Sequence, residues 1–324
     1  MVPKHLFIAA LIAATASDTA SARSAPLYKG AIATDASTGA VLYQENADAV
    51  SPPASMTKLM TYAVLCDQIA KGSISLDTPV TVTHEDAKVA MLKDSTAVWL
   101  KQGEVFPVEE LIYAMLIQSA NDAAYALAHR AAGTVPAFVA MMNAKARELG
   151  MLHSTFRTPH GFPPPSRRPS EGDLTTPRDF SILCRHLLLH TDILKYTSVK
   201  TRTFGAGVRF QPVPMVNHNH LLGKIAGVDG LKTGFTSGAG FCLAATAQRD
   251  GRRIIVVMMD SPDSRTRDLN VEELISQAFA LLPLDTKLFA QVQSGLAEPT
   301  RPFPALPPAS GDGPVVRYPG ATAK

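Results

Sequence analysis

Cysteine is scarce in this chain: Cys66, Cys184 and Cys242 are the only three in 324 residues. They are too few and too scattered for a disulfide framework, and neither a C-x-x-C pair nor a Cys/His ligand cluster occurs. Each lies in an apolar run, where a small buried side chain is the default. A surplus of one charge is also missing. Lys+Arg number 31 against 28 Asp+Glu, a formal net charge of +3, so no strong field draws the chain to nucleic acid or acidic lipid. Apolar runs of membrane-spanning length are absent as well. The nearest, over residues 6–14, is too short to cross a bilayer. It follows Lys4 and precedes the small-residue site Ala20-Ser21-Ala22, which reads as a cleavable export signal over residues 1–22. An uncleaved anchor is the weaker alternative. The mature protein is expected to be soluble and extracytoplasmic, for instance periplasmic. No cofactor is expected, and no metal: His218 and His220 form an H-x-H, yet no acidic or cysteine partner has ligand spacing.

What is present suffices for one large domain or two modest ones, with 46% hydrophobic residues to fill a core. Residues 30–35 and 40–45 read as strands joined by a tight turn at Ala36-Ser37-Thr38-Gly39. Val80–Thr83 and Ala97–Leu100 look like short strands around a polar loop. Pro107 fits the first turn of a helix carrying Val108, Leu111, Ile112, Met115 and Leu116. Further helices are expected from about Ala123, over Pro136–Leu149 with Gly150 as its stop, and from the cap Thr176-Pro177-Arg178-Asp179 through Leu189. Residues 230–236, 241–247 and 254–259 read as neighbouring antiparallel strands. Asn270 with Glu273 makes a capping box for a last helix burying Val271, Leu274, Ile275, Ala278 and Leu282. Strands at both chain ends with helices between them predict an α+β fold: an antiparallel β-sheet flanked by helices, with an all-helical subdomain over about 80–215 inside a domain of 25–285. Residues 286–324, proline-rich from about Glu298, are expected to be a disordered tail.

The rest is organised around Ser55-Met56-Thr57-Lys58, which follows Pro52-Pro53 and opens the apolar run Leu59–Leu65. If that run is a helix, Ser55 lies at its N-terminus and the spacing of three puts its hydroxyl and the Lys58 amine on one face. A serine is a poor nucleophile until a base takes its proton, and a lysine serves only when desolvation or a neighbouring cation holds it neutral. The helix start also offers free N–H groups to an oxyanion. Alone, S-x-x-K is most simply an N-cap serine with a solvated lysine. Two further stretches, Ser119-Ala120-Asn121 and Lys232-Thr233-Gly234, change that reading.

Together these triplets resemble the three motifs of the penicilloyl serine transferases. Over about residues 25–282 the chain resembles the D-alanyl-D-alanine carboxypeptidases, the low-molecular-mass penicillin-binding proteins of serine peptidase family S11. Leu149-Gly150-Met151, Pro159-His160-Gly161, Asn217-His218-Asn219 and Gly227–Thr236 carry the likeness beyond the triplets. The resemblance implies a DD-peptidase/β-lactamase-like fold, peptidoglycan stem peptides as substrates, and β-lactams as acylating inhibitors. It implies Ser55 as the acylated nucleophile, Lys58 as its base and Ser119 as a proton relay. Asn121 would hold the substrate's amide carbonyl, and Lys232, on an edge strand, would add a second cation. Thr233, Thr236 and Arg267 would meet the terminal carboxylate, with Arg265 the rival to Arg267. Gly234 would keep the strand clear for the ligand, and the N–H groups of Ser55 and Phe235 would form the oxyanion hole. Thr158 departs from the family's usual asparagine, and a proline-rich segment with Arg167-Arg168 replaces a more regular stretch. Many relatives carry a C-terminal β domain and an amphipathic membrane helix. The sequence here runs into the proline-rich tail instead, so anchoring by that route is not expected.

Three other readings compete with a carboxypeptidase: a DD-endopeptidase or transpeptidase using the same acyl-enzyme, a β-lactamase, and a non-catalytic wall-binding protein. A lactamase needs a deacylating glutamate. Glu148 and Glu171 fall in the right interval, but neither has the E-x-x-L-N setting.

Overall fold

The computed structural model describes residues 27–282. The expected export signal and tail lie outside the described residues. One unit runs to Ala278, and of the second, from Phe279, only the end of the last helix is described.

A five-stranded antiparallel sheet joins an early and a late segment of the described residues. β1 (Gly30–Asp35) and β2 (Val41–Glu45) pair as a hairpin, and β7 (Val228–Thr236), β8 (Gly240–Arg249) and β9 (Arg252–Ser261) form a meander. The order is β2-β1-β9-β8-β7, so β1 docks on β9 and β7 is left at an edge. Ile254–Met259 of β9 are buried without alternation, as in a strand covered on both faces. One cover is α6 (Pro177–His190), which packs on β1 and β9. Its start follows the expected cap, the Thr176 hydroxyl accepting from Asp179 N.

Between the hairpin and the meander lie α1 (Lys58–Ala70), α2 (His84–Ala90), α3 (Val108–Ile117), α4 (Asn121–Ala132), α5 (Val135–Glu148) and α7 (Ile193–Thr197). Two small hairpins accompany them: β3 (Pro79–Thr81) with β4 (Val105–Pro107), and β5 (Thr201–Phe204) with β6 (Val213–Val216). Ala97–Leu100, expected as a strand, is not one. Ala97, Val98 and Leu100 are buried and Trp99 is exposed, and the N–H groups of Val98 and Leu100 bond the Asp122 carboxylate instead of a neighbouring strand. The expected polar loop before it contains α2, started by a reciprocal capping box between Thr83 and Asp86. The last helix, α8 (Ser264–Leu281), begins earlier than Asn270. Asp263 takes the Thr266 N–H and hydroxyl at its start, and Asn270 lies within it, its Nδ2 donating to Thr266 O. Among the described residues no helix is long and apolar enough to cross a membrane.

Candidate active site

Ser55 does not open an α-helix. Ala54–Thr57 is a 3-10 turn and α1 proper begins at Lys58. Tighter winding makes positions i and i+3 eclipse, which aligns Ser55 with Lys58 more closely than an α-turn would. Lys58 Nζ lies 3.0 Å from Ser55 Oγ. Met56, Leu59 and Met60 are fully buried and fix the turn to the core.

The Lys58 amine is itself fully buried and makes two further contacts, to Asn121 Oδ1 at 2.7 Å and to the carbonyl of His160 at 2.8 Å. Burial, and next to it the charge of Lys232, hold its pKa well below the ordinary lysine value; Asp122 and Asp173 pull the other way. A neutral amine has two N–H donors and one lone pair. In that form the two donors would match Asn121 and His160, and the lone pair would be left to accept from the Ser55 hydroxyl.

Lys232, on β7, is buried, and its pKa is pushed down to about 7 by burial and then by Arg267. Arg267 is buried as well; its Nε and Nη2 donate to Asp268 Oδ1 at 2.9 and 2.7 Å. Arg265 is exposed and lines a surface hollow with His220 and Glu272. Thus Arg267, not its neighbour, adds charge to the lysine cluster.

The second triplet occupies the break between α3 and α4. Ser119 is buried and has φ 63, a left-handed backbone uncommon for a side-chain-bearing residue. Asn121 is held from a loop before α3: its N–H donates to Thr96 O at 2.8 Å and its Nδ2 to Ser95 Oγ at 3.1 Å.

Gly234 lies on β7 against the Ser55 turn. A Cβ there would sit 2.5 Å from Pro53 O and 3.2 Å from both Ala54 Cβ and Met56 N. Its missing side chain lets β7 close on the Ser55 turn. Thr233 is mostly buried, and the Thr236 hydroxyl accepts from Ala239 N. Phe235 is over half exposed, stacked on Phe241 with ring centroids 4.1 Å apart. Beside Thr236 a cleft runs past Ala54, Phe162, Arg167 and Gly238.

Sequence reasoning missed the supports beneath this arrangement. Asp173 is buried and accepts from Thr57 Oγ1 (2.8 Å), Thr158 Oγ1 (3.0 Å), Arg157 N (2.7 Å) and Thr158 N (3.0 Å). Burial nevertheless raises its pKa. Thr158 also accepts from Gly161 N at 2.8 Å, so this threonine closes its own turn. Asp122, immediately after Asn121, clamps the loop of Val98 and Leu100, and it too has its pKa raised by burial. Nothing in the spacing of either aspartate marked it; only the fold brings their donors together. The two histidines of the H-x-H part company. His218 is pushed down to about 4 by burial and then by Lys232, while His220 Nδ1 lies 3.3 Å from Asp268 Oδ2. Among the described residues no group of three or more His, Cys, Asp or Glu is placed to hold a metal.

The profile of the family described as D-alanyl-D-alanine carboxypeptidase, peptidase S11, matches residues 16–263. The chain is 31% identical over 252 residues to D-alanyl-D-alanine carboxypeptidase DacF of Bacillus subtilis, covering 78% of this chain and 62% of that protein. It is 35% identical over 248 residues to DacC of Escherichia coli, covering 76% and 59%. The chain therefore spans about six-tenths of the length of these relatives. Penicillin-binding protein D2 of Listeria monocytogenes in its ampicillin-bound form superposes with a TM-score of 0.68 at 31% identity, covering 79% of this chain and 98% of that one. For penicillin-binding protein 5 of Haemophilus influenzae the TM-score is 0.72 at 31% identity, covering 79% and 72%. A serine aligned with a buried lysine, an asparagine on that same lysine, and the matched span all lead to one statement: the chain belongs to the D-alanyl-D-alanine carboxypeptidase family S11, the low-molecular-mass penicillin-binding proteins.

Proposed function

We propose that the protein is a serine-type D-Ala-D-Ala carboxypeptidase that removes the terminal D-alanine from peptidoglycan stem peptides outside the cytoplasm, and that β-lactams acylate the same serine. Lys58 takes the Ser55 proton as Oγ attacks the carbonyl between the two D-alanines. The N–H groups of Ser55 and Phe235 receive the oxyanion, and Ser119 passes the proton to the departing amine. Water then releases the acyl group. Asn121 has a second N–H on Nδ2 beyond the one given to Ser95, available to a substrate carbonyl. Lys232, Thr233, Thr236 and Arg267 receive the terminal carboxylate, for which a guanidinium fork is suited.

The observation that carries this reading is the 3.0 Å contact between Ser55 Oγ and a fully buried Lys58 whose other partners are neutral oxygens. A wall-binding protein without chemistry has no need of it. The lactamase reading is disfavoured by the carboxylates. Glu148 pairs with Lys145, and Glu171 bonds Ser166 and Arg168, so both are engaged in other contacts. Release of D-alanine from a pentapeptide mimic tests the proposal: the wild type should release it, with Ser55→Ala at background. Equal background release from both would refute it.

A further inference from the structure

The loop that holds Asn121 is gripped from both sides. On the inside Asp122 takes the N–H groups of Val98 and Leu100 at 3.3 and 3.0 Å. On the outside Arg209, from the turn between β5 and β6, takes the carbonyls: Nη1 donates to Val98 O at 2.6 Å and Nη2 to Trp99 O at 3.0 Å. Its remaining donors form a two-point ion pair with Glu104, Nε to Oε1 at 2.8 Å and Nη2 to Oε2. The guanidinium lies over Phe204 and Phe106, 4.8 and 5.3 Å from their centroids. Only 8% of the side chain is exposed. Gly205 makes room for it; a Cβ there would meet Arg209 Cδ at 2.9 Å, and its φ is +72. Between the two grips Trp99 adopts φ 57, a conformation that a bulky residue keeps only when its surroundings force it.

The geometry points to Arg209 as a positioning residue for Asn121, acting through the loop of residues 95–100. The chain of contacts is continuous: Arg209 fixes Val98 and Trp99, the same loop presents Ser95 Oγ and Thr96 O to Asn121, and Asn121 Oδ1 meets Lys58. A lysine at 209 keeps the charge but lacks the planar fork that serves both carbonyls and the carboxylate at once. The inference rests on the acyl-transfer reading only for its kinetic consequence; the mechanical link to Asn121 stands apart from it.

The test compares wild type with Arg209→Lys, and with Glu104→Gln, which loosens the fork while leaving Arg209 in place. Three readouts are taken: hydrogen exchange at the Asn121 N–H, acrylamide quenching of Trp99, which is the sole tryptophan, and penicillin acylation rate per folded molecule. Arg209→Lys should raise exchange at Asn121 several-fold, raise quenching of Trp99, already 54% exposed, by less than about two-fold, leave exchange in α6 unchanged, and slow acylation about 10-fold. Glu104→Gln should do the same to a smaller degree, and it decides the matter if Arg209→Lys does not fold. Unchanged exchange at Asn121 in folded variants overturns the inference. So does a faster exchange accompanied by an unaltered acylation rate. Changed exchange in a protein whose wild type never acylates supports the positioning and refutes the proposed function instead.

Discussion

Gly161 and Ala54 touch backbone to backbone: a Cβ on Gly161 would lie 1.8 Å from the Ala54 carbonyl oxygen. The glycine has φ +78 and follows His160, whose carbonyl accepts from the Lys58 amine, while Ala54 precedes Ser55. Gly161→Ala is therefore expected to push the serine turn away from the lysine. Stability should fall by about 3 kcal/mol or more, a strained φ adding to a clash with backbone. Thermal unfolding and the penicillin acylation rate should fall together.

Asp173 holds the same region from below. Truncation in Asp173→Ala leaves the Thr57 and Thr158 hydroxyls and the N–H groups of Arg157 and Thr158 without their acceptor. Buried donors deprived of a charged partner cost about 3 kcal/mol. Urea unfolding of the variant should show that loss, and Asp173→Asn, which keeps one acceptor oxygen, should lose less.

The buried lysine on β7 makes stability depend on pH. Lys232 ionises at about 7 in the folded protein and near the ordinary 10.5 when unfolded, so between these values the unfolded chain holds the extra proton. Stability from this group accordingly rises with pH across about 7 to 10.5, by up to about 1.4 kcal/mol per pH unit, and is level below 7. Lys232→Met removes this group's share of the dependence and leaves that of the buried Lys58. Relative to wild type its stability advantage should be largest at pH 7 and below and shrink toward pH 10.5 in chemical-denaturation curves.

Arg267 and Arg265 separate by substrate. If the buried Arg267 reads the free carboxylate, wild type should prefer a pentapeptide acid over its C-terminal amide. Arg267→Gln should lose that preference by about 10-fold or more, the worth of a charge-assisted bond. Arg265→Gln, on the exposed hollow, should retain it. Comparing kcat/KM for the two peptides decides between them.

Much of this could be read from the chain because it depends on local signals. The strands of β7 to β9, the cap at Thr176 and the break at Ser119 follow from periodicity and capping chemistry, and the triplets announced the lysine pair. What escaped depends on contacts distant in sequence. Asp173 reaches Thr57 across 116 positions, and no pattern marks such a partner. Ala97–Leu100 imitates a strand because side-chain acceptors stand in for a ladder. The start of α8 at Ser264 was masked by a second plausible cap at Asn270, whose side chain instead bonds the helix backbone. That Gly234 also lets β7 approach Pro53 is likewise a contact distant in sequence.

The central claim is that the buried amine of Lys58 makes Ser55 a nucleophile. Mass spectrometry of the folded protein after incubation with penicillin tests it most directly. The account predicts one long-lived penicilloyl adduct located on Ser55, absent from Ser55→Ala and formed at least 100-fold more slowly by Lys58→Gln. A folded wild type that carries no adduct, or carries it on another residue, would contradict it.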